Sequence, residues 1–212
     1  MTGVPLADEA QSWPVTESVD LHRDDWVMAF RADTVQRPDH PEDSFRRLVL
    51  EAPGAVMVLA VDDDEQVVVL RQYRHPVSAR LVEIPAGLLD VDGEDAVLAA
   101  QRELREEAAL QAAHWAHLVT VYPSPGISDE KHMIYLATGL SEADRGDFEL
   151  EHEEAEMSVE RVPMHELVEA VLDGRVQDAP LVTAVLAYDV IRRRSAGQIR
   201  GQTLGQSLGR SE

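Results

Sequence analysis

The sequence contains no cysteine, which excludes disulfide bonds and thiolate metal ligands. This absence is typical of a reducing compartment, so we expect a cytoplasmic protein. No apolar run reaches the roughly 18 residues of a membrane-spanning helix, so we expect no membrane partner. The first fourteen residues lack both a basic and an apolar region, which predicts no signal peptide.

Basic residues are few: 19 Lys and Arg stand against 40 Asp and Glu, a net charge of −21. Proteins that bind nucleic acids usually present a basic face, so we expect no nucleic-acid partner. A small phosphate compound remains a candidate ligand, because a metal ion can bridge an acidic protein and an acidic substrate. Aromatic residues form only 5% of the chain. Trp13, Trp26 and Tyr73 are candidates to stack on a base, although core or interface packing is the more common role for such residues.

Apolar residues form 44% of the chain, which is enough for a core. Two β-branched runs flank the turn DDDEQ and predict a hairpin; further strands and three helices follow from periodicity. The predicted strands are 55–61, 66–72, 81–87, 117–126, 131–140 and 157–163, and the predicted helices are 94–110, 164–174 and 178–194. This order predicts an α/β domain in which helices cover a mixed sheet. A small β segment precedes it over 1–51, and the Gly- and Gln-rich segment 196–212 is expected to be disordered.

The helix at 94–110 carries Glu103, Glu106 and Glu107 on one side, at helical spacing. Arg102 lies four residues before Glu106 and is placed to offset part of the repulsion. Carboxylates on one helix face are hard oxygen ligands that suit Mg²⁺ or Mn²⁺. A solvated acidic face is the more common reading of such a helix taken alone.

The stretch GLLDVDGEDAVLAAQRELREEAAL, residues 87–110, resembles the Nudix box. The matching positions are Gly87, Glu94, Arg102, Glu103, Leu104, Glu106, Glu107 and Leu110. Seven residues separate Glu94 from Arg102, as in the family. Two positions depart from the pattern: six residues rather than five separate Gly87 from Glu94, and Ala109 stands where the family has glycine.

The flanking sequences RQYRHPVSARLVEIPAG and YPSPGISDEKHMIYLA resemble the ADP-ribose pyrophosphatase branch of that family. Pro125 lies fifteen residues past Leu110, as in that branch. The resemblance covers about 52–195 and implies a Nudix α/β/α sandwich with a mixed sheet. It also implies a homodimer to which the N-terminal β segment (1–51) contributes.

By this resemblance, Glu103 and Glu107 are the main metal ligands, Glu106 assists, and the Ala86 carbonyl adds a backbone ligand. The implied cofactor is Mg²⁺, with Mn²⁺ as a substitute. The catalytic base would come from the acidic loop EHEEAEM, with Glu154 as first choice and Glu153 as second.

The resemblance also assigns residues to the substrate. Arg74 would bind a phosphate, Glu83 would contact metal-bound water or ribose, and Arg80 and Glu130 are weaker candidates of the same kind. The turn containing Pro125 and Gly126 would shape the pocket beside the terminal ribose.

The implied activity is Mg²⁺-dependent cleavage of ADP-ribose to AMP and ribose 5-phosphate. A second hypothesis keeps the chemistry and changes the substrate to a nucleotide sugar or a dinucleotide. A third is a non-catalytic ligand-binding protein on the same scaffold. Such a sensor usually needs an output module, and the sequence shows none, while all three box carboxylates are present.

Overall fold

The computed structural model describes residues 6–146, 148 and 156–207, with side chains to 195. The chain forms two compact units. Unit 1 comprises Met1–Ala52 and Ser124–Glu130, and unit 2 comprises Pro53–Pro123 and Lys131–Glu212. Within the described part of the chain, no helix has the length and hydropathy needed to cross a membrane.

Unit 1 is built on a three-stranded antiparallel sheet of β1 (Val15–His22), β2 (Ala29–Arg37) and β3 (His40–Glu51). The segment Ser124–Glu130 is hydrogen-bonded to the end of β3. Leu50 N–H donates to the Ile127 carbonyl at 2.7 Å, and Ala52 N–H donates to Asp129 Oδ1 at 3.1 Å. These contacts explain why residues far along the chain join the N-terminal unit.

Unit 2 contains seven described strands and three helices. The strands are β4 (Ala55–Ala60), β5 (Gln66–Arg74), β6 (Ala79–Glu83), β7 (Ala86–Leu88), β8 (Leu110–Val121), β9 (His132–Glu142) and β10 (Ser158–Pro163). The helices are α1 (Ala96–Ala108), α2 (Met164–Leu172) and α3 (Ala179–Ser207). One sheet has the order β7-β4-β9-β8 and is mixed, because β4 and β9 are parallel. The other has the order β10-β5-β6.

The strand β4 lies at the centre of the core, and all six of its residues are buried. Successive side chains of a strand point to opposite faces, so β4 contributes to two clusters. Met57 and Leu59 pack with residues of α2 and α3, whereas Val56 and Val58 pack with residues of α1. Helices therefore cover both faces of the mixed sheet, which confirms the predicted α/β/α sandwich.

Several elements differ from their predicted limits. The predicted strand 81–87 is divided into β6 and β7, which belong to different sheets, and the predicted helix 94–110 spans Ala96–Ala108. The predicted hairpin partners β4 and β5 form as strands but belong to different sheets. An isolated antiparallel bridge between Val61 and Val67 links them at the turn. The strand β8 begins directly after α1, at Leu110, because β9 supplies a partner for a stretch of weak β propensity. The last helix continues past 194 to Ser207.

The residue that ends α1 is Ala109, which adopts a left-handed conformation with φ 54° and ψ 40°. Glycine adopts this conformation without steric cost, whereas alanine does not. We expect Ala109→Gly to stabilise the protein by about 1 kcal/mol, which raises the melting temperature by about 2–4 °C. Calorimetry measures this shift. A lower melting temperature in the glycine variant would contradict it.

Candidate active site

The box carboxylates meet around one arginine on α1. The helix starts at the cap Asp95, whose side chain accepts the Val97 N–H. Arg102 donates to Glu103 at 2.6 Å and to Glu106 at 3.2 Å, and it forms an ion pair of 3.1 Å with Glu94. The hydrogen bonds to Glu94 and the charges of the other two carboxylates raise the pKa of Arg102. The predicted contact between Arg102 and Glu106 is therefore present.

The glycine that begins the box is packed against a box carboxylate. A Cβ atom placed on Gly87 would lie 2.0 Å from Cδ of Glu103. Real Cβ contacts are never this short, so only glycine allows the Glu103 carboxylate to occupy its position. The side chain of Glu103 is 12% exposed, and that of Glu106 is 13% exposed. Gly87 therefore has a steric role that concerns Glu103 directly.

The third box carboxylate is fixed by backbone. Glu107 is buried, and its Oε2 accepts the Ala86 N–H at 2.8 Å. This bond joins α1 to β7, the short strand on the edge of the mixed sheet. Ala86 and Glu107, which were predicted from the sequence to share one site, are thus in direct contact.

The carboxylates fit a divalent metal ion by their chemistry. Their oxygens are hard ligands, and Arg102 contacts two of them, Glu103 and Glu106, together with Glu94. Among the residues that the structure describes, no group of three or more acidic or histidine side chains already has the geometry of a metal site. Glu103, Glu106 and Glu107 are the residues that would hold the ion.

A second charged pair joins β5 and β6. Arg74 donates to both carboxylate oxygens of Glu83, at 2.9 Å and 2.7 Å. Glu83 is nearly buried, with 7% of its side chain exposed, whereas the side chain of Arg74 is 46% exposed. The hydrogen bond to Glu83 raises the pKa of Arg74, and the charges of Asp178 and Glu107 add to the effect. The structure therefore brings Arg74, Glu83 and Glu107 within electrostatic reach of one another.

Asp178 belongs to the same charged region and was not predicted from the sequence. It precedes α3, and its Oδ2 accepts the Leu181 N–H at 2.9 Å. Burial raises the pKa of the Asp178 carboxyl to about 6; Glu83 adds to the increase, while the Leu181 N–H and Arg74 oppose it. In the sequence Asp178 has only the signal of a helix N-cap. That signal gives no information about which residues surround the carboxylate.

We expect Asp178→Asn to be more stable than the wild type at pH 7.5, by up to about 3 kcal/mol. Because folding raises the pKa of this carboxyl, the contribution of Asp178 to the free energy of unfolding is largest at low pH, where Asp178 is neutral. This contribution then falls as pH rises towards 6 and the buried carboxyl becomes charged. Asparagine stays neutral and keeps an acceptor for Leu181 N–H. At pH 5, the difference in unfolding free energy between Asp178→Asn and the wild type should be about half as large. Urea denaturation with chelator present measures both values.

The exposed Asp63 provides the control. Asp63→Asn makes the same chemical change at an exposed position, where substitutions usually alter the unfolding free energy by less than about 0.5 kcal/mol. A pH-independent difference between wild type and Asp178→Asn would contradict the assigned pKa.

The other predicted site residues are Arg80, three residues of the segment grouped with unit 1, and two glutamates outside the described residues. Arg80 pairs with Glu156 at 3.3 Å, and both side chains are exposed. Pro125, Gly126 and Glu130 belong to the segment that is grouped with unit 1. Glu153 and Glu154 lie outside the described residues.

The aromatic candidates have different environments. Trp13 packs edge-on against Phe45 at 6.2 Å, and Trp26 is 64% exposed. Tyr73 hydrogen-bonds to His75 through its hydroxyl, at 3.2 Å. None of these contacts involves the α1 carboxylates.

Comparison with known proteins identifies the family of the chain. The NUDIX domain family matches residues 51–185, and the chain belongs to the Nudix family. Enzymes of this family that act as pyrophosphatases generally need a divalent metal ion. The catalytic unit predicted over 52–195 thus includes nearly all of the matched region.

Two curated relatives are similar over most of the chain. An ADP-ribose pyrophosphatase of Mycobacterium tuberculosis is 43% identical over 165 residues, which are 78% of each chain. A methanol dehydrogenase activator of Bacillus methanolicus is 33% identical over 159 residues, 75% of this chain and 83% of that one. Among solved structures, an ADP compounds hydrolase matches with a TM-score of 0.70 and 21% identity, over 91% of this chain and 98% of that one. This last similarity establishes the fold.

Proposed function

We propose that the protein is an ADP-ribose pyrophosphatase that depends on a divalent metal ion, preferably Mg²⁺. The observation that carries the proposal is the buried α1 carboxylate cluster, with Glu103 packed on Gly87 and Glu107 held by the Ala86 N–H. The 43% identity to a mycobacterial ADP-ribose pyrophosphatase supports the choice of substrate. The products would be AMP and ribose 5-phosphate.

The metal would be held by Glu103, Glu106 and Glu107, with the Ala86 carbonyl as the backbone ligand. When bound, divalent metal ions neutralise the pyrophosphate charge and lower the pKa of a bound water. The chain's own contribution is to hold these carboxylates in place. Arg102 orients Glu103 and Glu106, and Ala86 N–H fixes Glu107.

Arg74 is the group that would bind a substrate phosphate. In the structure the guanidinium group of Arg74 donates hydrogen bonds to Glu83, and nearly half of the Arg74 side chain is exposed. Glu83 holds the guanidinium in one orientation, so binding a phosphate requires little further ordering of the arginine. Arg80, Pro125, Gly126 and Glu130 complete the proposed substrate-binding set on the basis of resemblance.

The reaction is a hydrolysis with balanced products. The water oxygen bonds to one phosphorus atom, the bridging P–O bond breaks, and the electron pair stays with the leaving phosphate. A carboxylate accepts the proton of the attacking water, and Glu154 is our choice, with Glu153 as second.

We expect Glu154→Gln to lower kcat by about 10²–10⁴-fold, because general-base catalysis contributes about this much. Glu153→Gln, the matched control in the same loop, should retain most of the activity. Steady-state kinetics at saturating Mg²⁺ measures both variants. If Glu153→Gln is inactive and Glu154→Gln is active, the base is Glu153 and not Glu154.

The activity is tested with a substrate panel of ADP-ribose, a nucleotide sugar, NADH and a diadenosine polyphosphate. Each is incubated with Mg²⁺ or Mn²⁺ and with an EDTA control, and the products are separated by chromatography. Metal-dependent release of AMP, fastest from ADP-ribose, is the expected result. Faster cleavage of another compound would keep the chemistry and replace the substrate. Absence of cleavage would overturn the enzymatic proposal.

The name of one relative supports a second candidate function. One relative is named for activation of another enzyme and not for a substrate. A non-catalytic or regulatory use of the same fold would show as binding of ADP-ribose without turnover. Calorimetric titration of the panel compounds separates this case from catalysis.

We further propose a cytoplasmic homodimer that uses the N-terminal sheet. Every residue of β1 is exposed, including Val15, Val19 and Leu21, so this strand presents apolar surface that a second copy would cover. Sedimentation equilibrium of the full chain should give twice the monomer mass. A monomer at micromolar concentration would contradict the proposal.

A further inference from the structure

The C-terminal end of α1 is closed by residues that lie far along the chain. The last carbonyl groups of a helix have no partner within the helix. Here the Glu107 carbonyl accepts a hydrogen bond from Nη2 of Arg145 at 2.8 Å. The carbonyl of Ala109 accepts from the Ala143 N–H at 2.9 Å. Two carbonyls at the helix end are therefore satisfied by the segment after β9.

The sheet topology brings this segment to the helix. Because β8 starts directly after α1 and pairs with β9, Leu110 lies opposite Glu142, the last residue of β9. The chain then turns, with Gly146 N–H donating to Asp144 Oδ1 at 2.9 Å. Arg145 is thereby held at the carboxyl end of α1, where a positive charge interacts favourably with the helix dipole.

The guanidinium of Arg145 is partly buried against the helix. Its Nε atom is buried and has no hydrogen-bond partner within the described part of the chain. A surface arginine would normally keep this donor in water, because burying an unpaired donor is unfavourable. The hydrogen bond from Nη2 to the Glu107 carbonyl keeps the arginine at the helix end in spite of this cost.

The helix end of this protein has a particular need for such a contact. Ala109 adopts the left-handed conformation in which glycine would be unstrained. The strained residue comes two positions after Glu107, whose carboxylate must stay on the Ala86 N–H. Any loosening of the last turn would move that carboxylate.

We propose that Arg145 is a positioning residue that caps α1 from outside and holds Glu107 in its metal-binding orientation. The inference rests on the proposed function of Glu107 as a metal ligand. It assigns to Arg145 no contact with substrate or metal. Its effect is transmitted through the backbone of the terminal turn of α1.

The experiment measures Mn²⁺ affinity by electron paramagnetic resonance without substrate, and separately kcat and KM for ADP-ribose. Both are measured at a temperature at which circular dichroism shows each variant fully folded. Arg145→Met should weaken Mn²⁺ binding by about tenfold, as the loss of a residue that orients a ligand commonly does. At limiting metal kcat should fall, while KM for ADP-ribose stays within about twofold of wild type, since Arg145 does not contact substrate. Arg145→Lys, which keeps a donor and the charge, should retain most of the affinity and provides the measurement if the methionine variant does not fold.

Arg105→Met is the matched control. Arg105 is an exposed basic residue in the same last turn of α1. Removing its charge should leave Mn²⁺ affinity unchanged within about twofold, because the charge acts on the helix end only weakly at an exposed position.

Ala109→Gly tests whether Arg145 acts on Glu107 through the last turn of α1. Introduced into Arg145→Met, it should restore most of the Mn²⁺ affinity, because an unstrained residue at 109 makes the hydrogen bond from Arg145 less necessary. A folded Arg145→Met protein with wild-type Mn²⁺ affinity would overturn the inference. If Ala109→Gly does not restore the affinity, Arg145 does not act through the helix end.

The test is independent of the proposed activity, because Mn²⁺ binding is measured without substrate. A wild-type protein that fails to cleave ADP-ribose would refute the proposed function and leave the result for Mn²⁺ binding intact.

Discussion

Glu107→Gln should abolish most of the activity and leave the fold unchanged. Glutamine has the same shape, and its side-chain oxygen can still accept the Ala86 N–H that Glu107 accepts at 2.8 Å. The negative charge is lost, however, and a neutral amide is a much poorer ligand for Mg²⁺. We expect kcat to fall on the order of 10²–10³-fold, as when a preorganised charge-stabilising group is removed. Steady-state kinetics at saturating Mg²⁺ gives the value, and calorimetry checks the fold.

Glu166→Gln is the control for this substitution. Glu166 is an exposed carboxylate of α2, and its replacement should leave kcat within about twofold of wild type, since exposed surface changes have small effects. A near-normal rate for Glu107→Gln at saturating Mg²⁺ would remove Glu107 from the ligand set.

Gly87→Ala should reduce activity far more than stability. The new methyl group would lie 2.0 Å from Cδ and Oε1 of Glu103, so one of the two must move. The atoms in the way are the end of a flexible side chain, which can leave its position at modest conformational cost. The carboxylate would then no longer stand beside Glu106 and Arg102. We expect a loss of activity on the order of 10²-fold, with a change of about 1 kcal/mol or less in unfolding free energy.

Gly93→Ala separates the steric effect from a general loss of glycine. Gly93 lies in the loop between β7 and α1. Apart from its chain neighbours, no atom of the described residues lies within 4 Å of its added Cβ, although its φ of 78° is unfavourable for alanine. This control should lose about 1 kcal/mol of stability and keep its activity. Equal activity losses in the two variants would show that the loop, and not Glu103, is responsible. Comparing kcat with the urea-unfolding free energy of both proteins decides the question.

The helix α1 was largely predictable from the sequence because its signals are local. Helix-forming residues fill 96–108, which lies two residues inside each predicted limit, and the spacing of Glu103, Glu106 and Glu107 fixes which side they share. The contact between Arg102 and Glu106 follows from the same spacing. Interactions between residues three or four positions apart depend on helix geometry alone, so no tertiary information is needed.

The α/β/α architecture was also predictable. The β-branched runs at 55–61 and 66–72 indicated strands, and the structure places helices on each side of β4. Strand pairing was not predictable in the same way. The runs were read as one hairpin, but β4 pairs with β7 and β9, while β5 pairs with β6 and β10.

The site depends on contacts between segments that are distant in sequence, and these only the tertiary structure decided. The fit of Glu103 on Gly87, the bond from Ala86 to Glu107 and the cap that Arg145 places on α1 all join separate elements. Asp178 gained its raised pKa from burial beside Glu83, which no local pattern encodes. By itself the sequence determined the helix and its carboxylates, because these arise from local periodicity, and it indicated helices that cover a mixed sheet. The α/β/α layers were implied by the resemblance to the Nudix family. Packing decided which backbone and which arginine hold the carboxylates, because burial and steric contact arise only when distant segments meet.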